Sequence, residues 1–152
     1  MFDHIGIVVA DLERSARFYG HVLAPLGLQI LEKHDRGPND GWVVMSTGAP
    51  RSPFFVIAAG RPSFWGPKAR VSASPVHLCF TAPSQEAVNR FHSLGLELGA
   101  RDNGVPGVRR APFYCAFLID FDGNNVEAGL YLGDVAPAER ATQATWSVRN
   151  GG

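Results

Sequence analysis

The chain has 152 residues, 45% of them hydrophobic, which suffices for one good core or two small fused half-cores and excludes a disordered chain. Its 14 basic residues balance 14 acidic ones, so no bulk field draws it to nucleic acid or an anionic membrane, and its expected ligand is a small molecule. No apolar run approaches the ~20 residues of a membrane span, and Asp3 and His4 break any signal-peptide pattern, so a cytoplasmic protein is expected.

The first element runs from His4 to Val9 and alternates: His4, Gly6 and Val8 share one face of a strand, Ile5, Ile7 and Val9 the other. Asp11 is a good N-cap, Glu13 complements the helix dipole, and Leu12, Ala16, Tyr19 and Leu23 recur at helical spacing. Proline ends this helix near Ala24-Pro25. Leu26 to Leu31 reads as a second strand, Lys33 to Gly41 as a polar loop, and Trp42 to Met45 and Phe54 to Ala59 as further strands.

Residues 61–74, rich in Gly, Pro and Ser, read as a linker in which Phe64 and Trp65 either anchor on the core or close over a pocket mouth.

At His77 the opening pattern returns. His77 to Phe91 superimposes on His4 to Phe18 without a gap, each copy ending in Arg-Phe. His77, Cys79 and Thr81 oppose Leu78 and Phe80, so in both copies small residues flank the histidine, leaving room for a ligand or a metal. Ser84 caps a second helix with the stripe Ala87, Val88, Phe91 and Leu94, and Gly95 to Leu98 echoes Gly27 to Ile30. Asp102 to Gly107 has loop chemistry, Phe113 to Ile119 reads as a strand, Asp122-Gly123-Asn124 as a tight turn and Asn125 to Leu132 as the last strand. The expected fold is α+β: two tandem βαβββ modules, residues 1–60 and 75–132, forming a curved, mainly antiparallel mixed sheet around a cavity, with a peripheral tail at 133–152.

On the last strand Asn125, Glu127, Gly129 and Tyr131 share the polar or small face. Cys79 and Cys115 sit in apolar runs and read as buried reduced thiols, while His21, His34 and His92 read as solvated. Arg109 and Arg110 are surface charges or a fork for a substrate carboxylate, and Tyr114 a phenol donor or a packing group. Trp42, Phe55, Trp65, Phe113 and Tyr114 offer the apolar walls of a pocket.

Two such units, opened by His4-Ile-Gly-Ile-Val-Val-Ala-Asp-Leu and closed by Phe117-Leu-Ile-Asp-Phe-Asp-Gly-Asn-Asn-Val-Glu-Ala128, resemble the vicinal oxygen chelate superfamily, which includes glyoxalase I, bleomycin-resistance proteins and extradiol dioxygenases. Arg101 to Arg109 is similar to a subgroup of small glyoxalase-like proteins. The resemblance implies metal ligands at His4, His77 and Glu127, a set that suits divalent iron, manganese, zinc or nickel. The fourth ligand of glyoxalase I falls on Ile57, with no donor between Phe55 and Ala58, so that activity is not expected. The extradiol pattern also departs: its tyrosine is Phe117, its turn proline Phe121, and its upstream histidine falls among Val108, Arg109 and Arg110. The resemblance therefore implies a divalent-metal-dependent lyase or oxygenase on a small oxygenated substrate or, alternatively, a metal-free protein that sequesters an antibiotic or aromatic molecule. It also implies a homodimer, and in some relatives each site is built from the modules of two chains.

Overall fold

The structure, a computed structural model, describes residues 2–60, 75–110 and 112–133, so the expected linker with Trp65 and the expected tail from residue 134 on lie outside the described residues. The elements are β1 (His4–Val8), α1 (Leu12–Val22), β2 (Gln29–Gly37), β3 (Asp40–Ser46), β4 (Phe54–Ala59), β5 (His77–Thr81), α2 (Gln85–Glu97), β6 (Arg101–Arg110), β7 (Phe113–Ile119) and β8 (Asn125–Tyr131). They form an α+β fold of two four-stranded sheets with the same order, β1-β4-β3-β2 and β5-β8-β7-β6. In each, the first strand pairs parallel to the last and the other pairings are antiparallel. No helix among the described residues is long and apolar enough to cross a membrane.

Both helices start where the caps place them. The Asp11 carboxylate accepts the Arg14 amide at 3.0 Å and the Ser84 hydroxyl the Ala87 amide at 3.1 Å, each satisfying a donor that the first helical turn leaves free. Leu12, Ala16, Tyr19 and Val22 of α1 and Ala87, Val88 and Phe91 of α2 are buried, and they cover one face of each sheet. The covered faces carry Ile7, Val43, Phe55 and Ile57 in the first half and Ala116, Leu118, Val126 and Ala128 in the second. The opposite faces are the ones that carry the histidines.

Four segments differ from the sequence reading. Ala24 to Leu26 is a turn of 3-10 helix, and β2 starts three residues later, at Gln29. The polar stretch Lys33 to Gly37 then continues β2, exposed along its whole length at a sheet edge. A strand wet on both faces needs no apolar alternation, and its charges guard the edge against another chain. Asp102 to Gly107 lies within β6, the other outer edge, which absorbs its glycines and proline through three register shifts against β7. Gly95 to Glu97 remains helical, with Leu98 as C-cap, so the echo of Gly27 to Ile30 is one of composition only.

The halves are joined by a buried polar knot among aromatic rings. The Tyr19 hydroxyl donates to Asp120 at 2.6 Å, and Asp120 also accepts the amides of Asp122 and Asn124 and the Asn124 side-chain amide. Asn124 in turn accepts the Val76 amide, and Asp122 the Ala10 amide, so the Asp120–Asn124 turn is tied to the starts of both modules. Phe18 and Phe121, and Phe55 and Phe80, meet edge to face across the junction, and the Arg14 guanidinium lies 3.6 Å over the Phe121 ring. Burial, followed by the charge of Asp120, raises the Tyr19 hydroxyl above its ordinary pKa, so it stays a donor.

Candidate functional site

The parallel pairing of β5 with β8 sets His77 opposite Asn125, Cys79 opposite Glu127 and Thr81 opposite Gly129, while β7 sets Phe117 opposite Glu127 on its other side. Partners across a ladder point to the same face, so Gly104 of β6, Phe117, Glu127 and Cys79 form one row across the uncovered side of the second sheet. His77 reaches diagonally into this row: its Nε2 lies 3.1 Å from Glu127 Oε2, its ring 6.4 Å from that of Phe117. The His77 side chain is 53% exposed and that of Glu127 only 8%, which makes a fixed carboxylate beneath an accessible imidazole.

Two thiols complete the surroundings of Glu127. Cys79 and Cys115 both hydrogen-bond its carboxylate. Burial of the sulfur, then the neighbouring carboxylate charge, raises both thiols, Cys115 to about 12. They therefore stay protonated and donate. Cys79 is exposed as a residue, contrary to the buried thiol expected from its apolar run, because among the described residues no helix lies on its face of β5. Their strands are separated by β8, about 10 Å apart, too far for a disulfide. The sequence reading missed the thiols as partners of Glu127, although the shared face of His77 and Cys79 was the available signal.

The equivalent row in the first half is Glu32, Val44, Val56 and Gly6. Register places Val56, not Ile57, where Glu127 stands in the second half, since His4 pairs with Phe54 as His77 pairs with Asn125. Ile57 lies on the helix side, fully buried against Val43. His4 is 56% exposed, bonded to Asp3 at 2.8 Å and stacked on Phe54 at 4.5 Å. Among the described residues no three of His, Cys, Asp and Glu gather to hold a metal, so His4 does not meet His77 and Glu127 within one chain.

The other candidates separate by face. Trp42 stands on the open face of the first sheet, stacked on His34 at 4.5 Å. Phe55 and Tyr114 face the helices: Phe55 packs on Tyr19, and the Tyr114 hydroxyl donates to Asn89 of α2 at 2.7 Å. Phe113 faces outward beside Tyr131. Arg109 is exposed on β6 and donates to the Val105 carbonyl at 2.6 Å; of Arg110, at the end of β6, only the backbone is described. His21 and His34 are exposed as expected, but His92 is buried, because Asp102 on β6 bonds its Nε2 at 2.9 Å. That bond and the Gly104 amide hold Asp102 below its ordinary pKa. An open depression of about 660 Å³ lies elsewhere, between the start of α1 and the β2–β3 hairpin.

The sequence matches the family model of the glyoxalase/bleomycin resistance protein/dioxygenase superfamily over residues 1–127. Among solved structures the chain is similar to a glyoxalase/bleomycin resistance protein from Albidiferax ferrireducens T118, at 27% identity over 85% of this chain and 97% of that one, with a TM-score of 0.63. It also shares its fold with a lactoylglutathione lyase from Agrobacterium tumefaciens, at 19% identity over 85% and 92% of the two chains and a TM-score of 0.60. A family enzyme from Burkholderia phytofirmans PsJN gives 18%, 86%, 98% and 0.61. No curated protein matches the sequence.

Proposed function

Since the chain belongs to the glyoxalase/bleomycin resistance protein/dioxygenase superfamily, we propose that it binds a small oxygenated molecule on the open face of its second sheet, as a divalent-metal-dependent lyase or oxygenase. The observation that carries the reading is the His77–Glu127 pair: an exposed imidazole and a buried carboxylate converge to 3.1 Å on a face that no helix of the described residues covers. Two such donors fit a divalent ion but are too few to hold it. The remaining donor is His4, whose half-exposed ring faces away from the core of its own module. The site is therefore formed between two copies, His4 of one completing His77 and Glu127 of the other in a homodimer. Divalent iron, manganese, zinc and nickel all accept this donor set. Bound there, the ion supplies a Lewis acid for two neighbouring substrate oxygens. The chain's own part is to orient: Glu127 holds His77, the thiols hold Glu127, and Phe117 lays an apolar floor beside them.

The test is elemental analysis of protein purified without chelator or nickel resin. About one ion per chain is expected, lost in both His4→Ala and Glu127→Ala. Mixing these two variants restores about a quarter of the sites, because random exchange makes half of the dimers mixed and each mixed dimer has one of its two shared sites intact. Metal far below one equivalent, unchanged by Glu127→Ala, rejects the reading, as does a monomer mass by light scattering at micromolar concentration.

A second reading, metal-free sequestration of an aromatic molecule, is favoured by Val56, which removes the fourth donor, and by the two thiols that already satisfy Glu127. Ligand binding that persists in EDTA, in protein that carries no metal as purified, selects it.

A further inference from the structure

The open face of the second sheet carries a cation at the far end of the Glu127 row, and its placement is built into the backbone. Gly104 pairs with Phe117 and Phe117 with Glu127, so the three stand side by side on β6, β7 and β8. Gly104 has a φ of +154°, a conformation that side chains rarely adopt, and lies between two of the register shifts of β6. A Cβ at this position would lie 2.9 Å from the Phe117 ring and 3.2 Å from Arg109 Nη2. The missing side chain is thus the room into which the Arg109 guanidinium folds, back over its own strand to the edge of the Phe117 ring. One nitrogen is pinned to the Val105 carbonyl, and among the described residues no further hydrogen bond of the fork is seen. The nearest acid along the strand, Asp102, pairs with Leu118 on the helix side and is engaged by His92 and the Gly104 amide. The charge of Arg109 also reaches the Cys115 thiol beside Glu127.

We infer that Arg109, Phe117 and the His77–Glu127 pair form a subsite for a planar carboxylate: the carboxylate on the Arg109 fork, the ring or enol plane on Phe117, and the far oxygen at His77 and Glu127. Two strand spacings, about 10 Å, separate Gly104 from Glu127, a span on the scale of one aromatic ring that carries an oxygen at each end. The guanidinium presents paired donors that match a carboxylate, whereas a neutral amide offers one acceptor and brings a donor against the cation. The inference rests on the reading that the substrate's oxygens sit at His77 and Glu127, but the anion subsite is testable without metal.

The experiment is calorimetric titration of the full chain, in EDTA, with para-hydroxybenzoate and its neutral counterpart para-hydroxybenzamide. The acid is expected to bind about tenfold tighter than the amide or better, and Arg109→Gln to abolish that preference, mainly by weakening the acid. Arg109→Lys, which keeps the charge but loses the fork, is expected to retain only part of it. In the same titration by NMR, Phe117 ring resonances shift with the acid in wild type. Arg109 is exposed, and circular dichroism that matches wild type shows that each variant is folded. The inference is overturned if acid and amide bind alike, if Arg109→Gln preserves the preference, or if neither probe binds below about 10 mM. Since chelator is present throughout, failure here leaves the elemental analysis of the metal reading untouched, and failure of that analysis leaves this result standing.

Discussion

The two halves of the molecule hold the same row of four positions on their uncovered faces and fill it differently. In the first half the row reads Glu32, Val44, Val56, Gly6; in the second, Gly104, Phe117, Glu127, Cys79. Each has one carboxylate. Glu32 stands on an exposed edge strand and is taken up by His34 at 2.8 Å, in an exposed pair beside Trp42. Glu127 stands one strand in from the edge, buried, with His77 and two thiols around it. A surface pair of the first kind contributes little, whereas a buried carboxylate must be satisfied or it destabilises the fold. Duplication thus supplied the scaffold twice, but only one copy carries a fixed carboxylate under an accessible histidine. His4, the counterpart of His77, has Val56 at the register position of Glu127 and is held instead by the exposed Asp3 at 2.8 Å.

The register behind this comparison is the easiest part to break. Ile57→Glu puts a carboxylate against Val43 in the fully buried core and is expected to cost about 4 kcal/mol or more, seen as loss of the cooperative denaturant transition. Val56→Glu, one residue away and also buried at 5%, stands on the face opposite the helix at the register position of Glu127 and should cost less than Ile57→Glu, giving the first half the pair that the second already has. Equal damage by both would show that the faces are assigned wrongly.

The junction that holds the halves together comes next. Asp120→Ala leaves the Tyr19 hydroxyl, two backbone amides and the Asn124 side-chain amide without their acceptor, and is expected to destabilise by about 3 kcal/mol. Tyr19→Phe removes one donor and keeps the ring packing, for about 1 kcal/mol. Thermal melting should rank the two in that order and show a single transition, since the knot belongs to both modules.

The smallest effect is one of pH. The Cys115 thiol has its folded pKa raised to about 12, above the ordinary value of 9.0, so the unfolded chain releases this proton first. Its contribution to stability is complete below pH 9, falls as pH rises and is gone above about 12. Glu127→Gln removes the neighbouring charge, lowers the folded pKa and should make the loss smaller and complete at lower pH. Alkylation with iodoacetamide near pH 8 should be slow in wild type and faster in that variant.

The repeat, the helix starts at Asp11 and Ser84, and the alternation that sets His4, His77 and Glu127 on one kind of face were all legible in the chain, because caps and strand faces depend on neighbours two to four residues away. The edge strands were not: β2 is exposed along its whole length and β6 meets α2 through a polar contact, Asp102 on His92, so neither shows an apolar period, and only pairing with β3 and β7 makes strands of charged or Gly/Pro-containing segments. Composition likewise could not say that Cys79 faces outward beside Glu127 or that His92 is buried against Asp102. Nor could it place Phe55 and Tyr114 behind the sheet. A strand's sequence divides its residues into two sides, but which side a helix covers, and which residue of the next strand stands opposite, is decided when the sheets and helices dock.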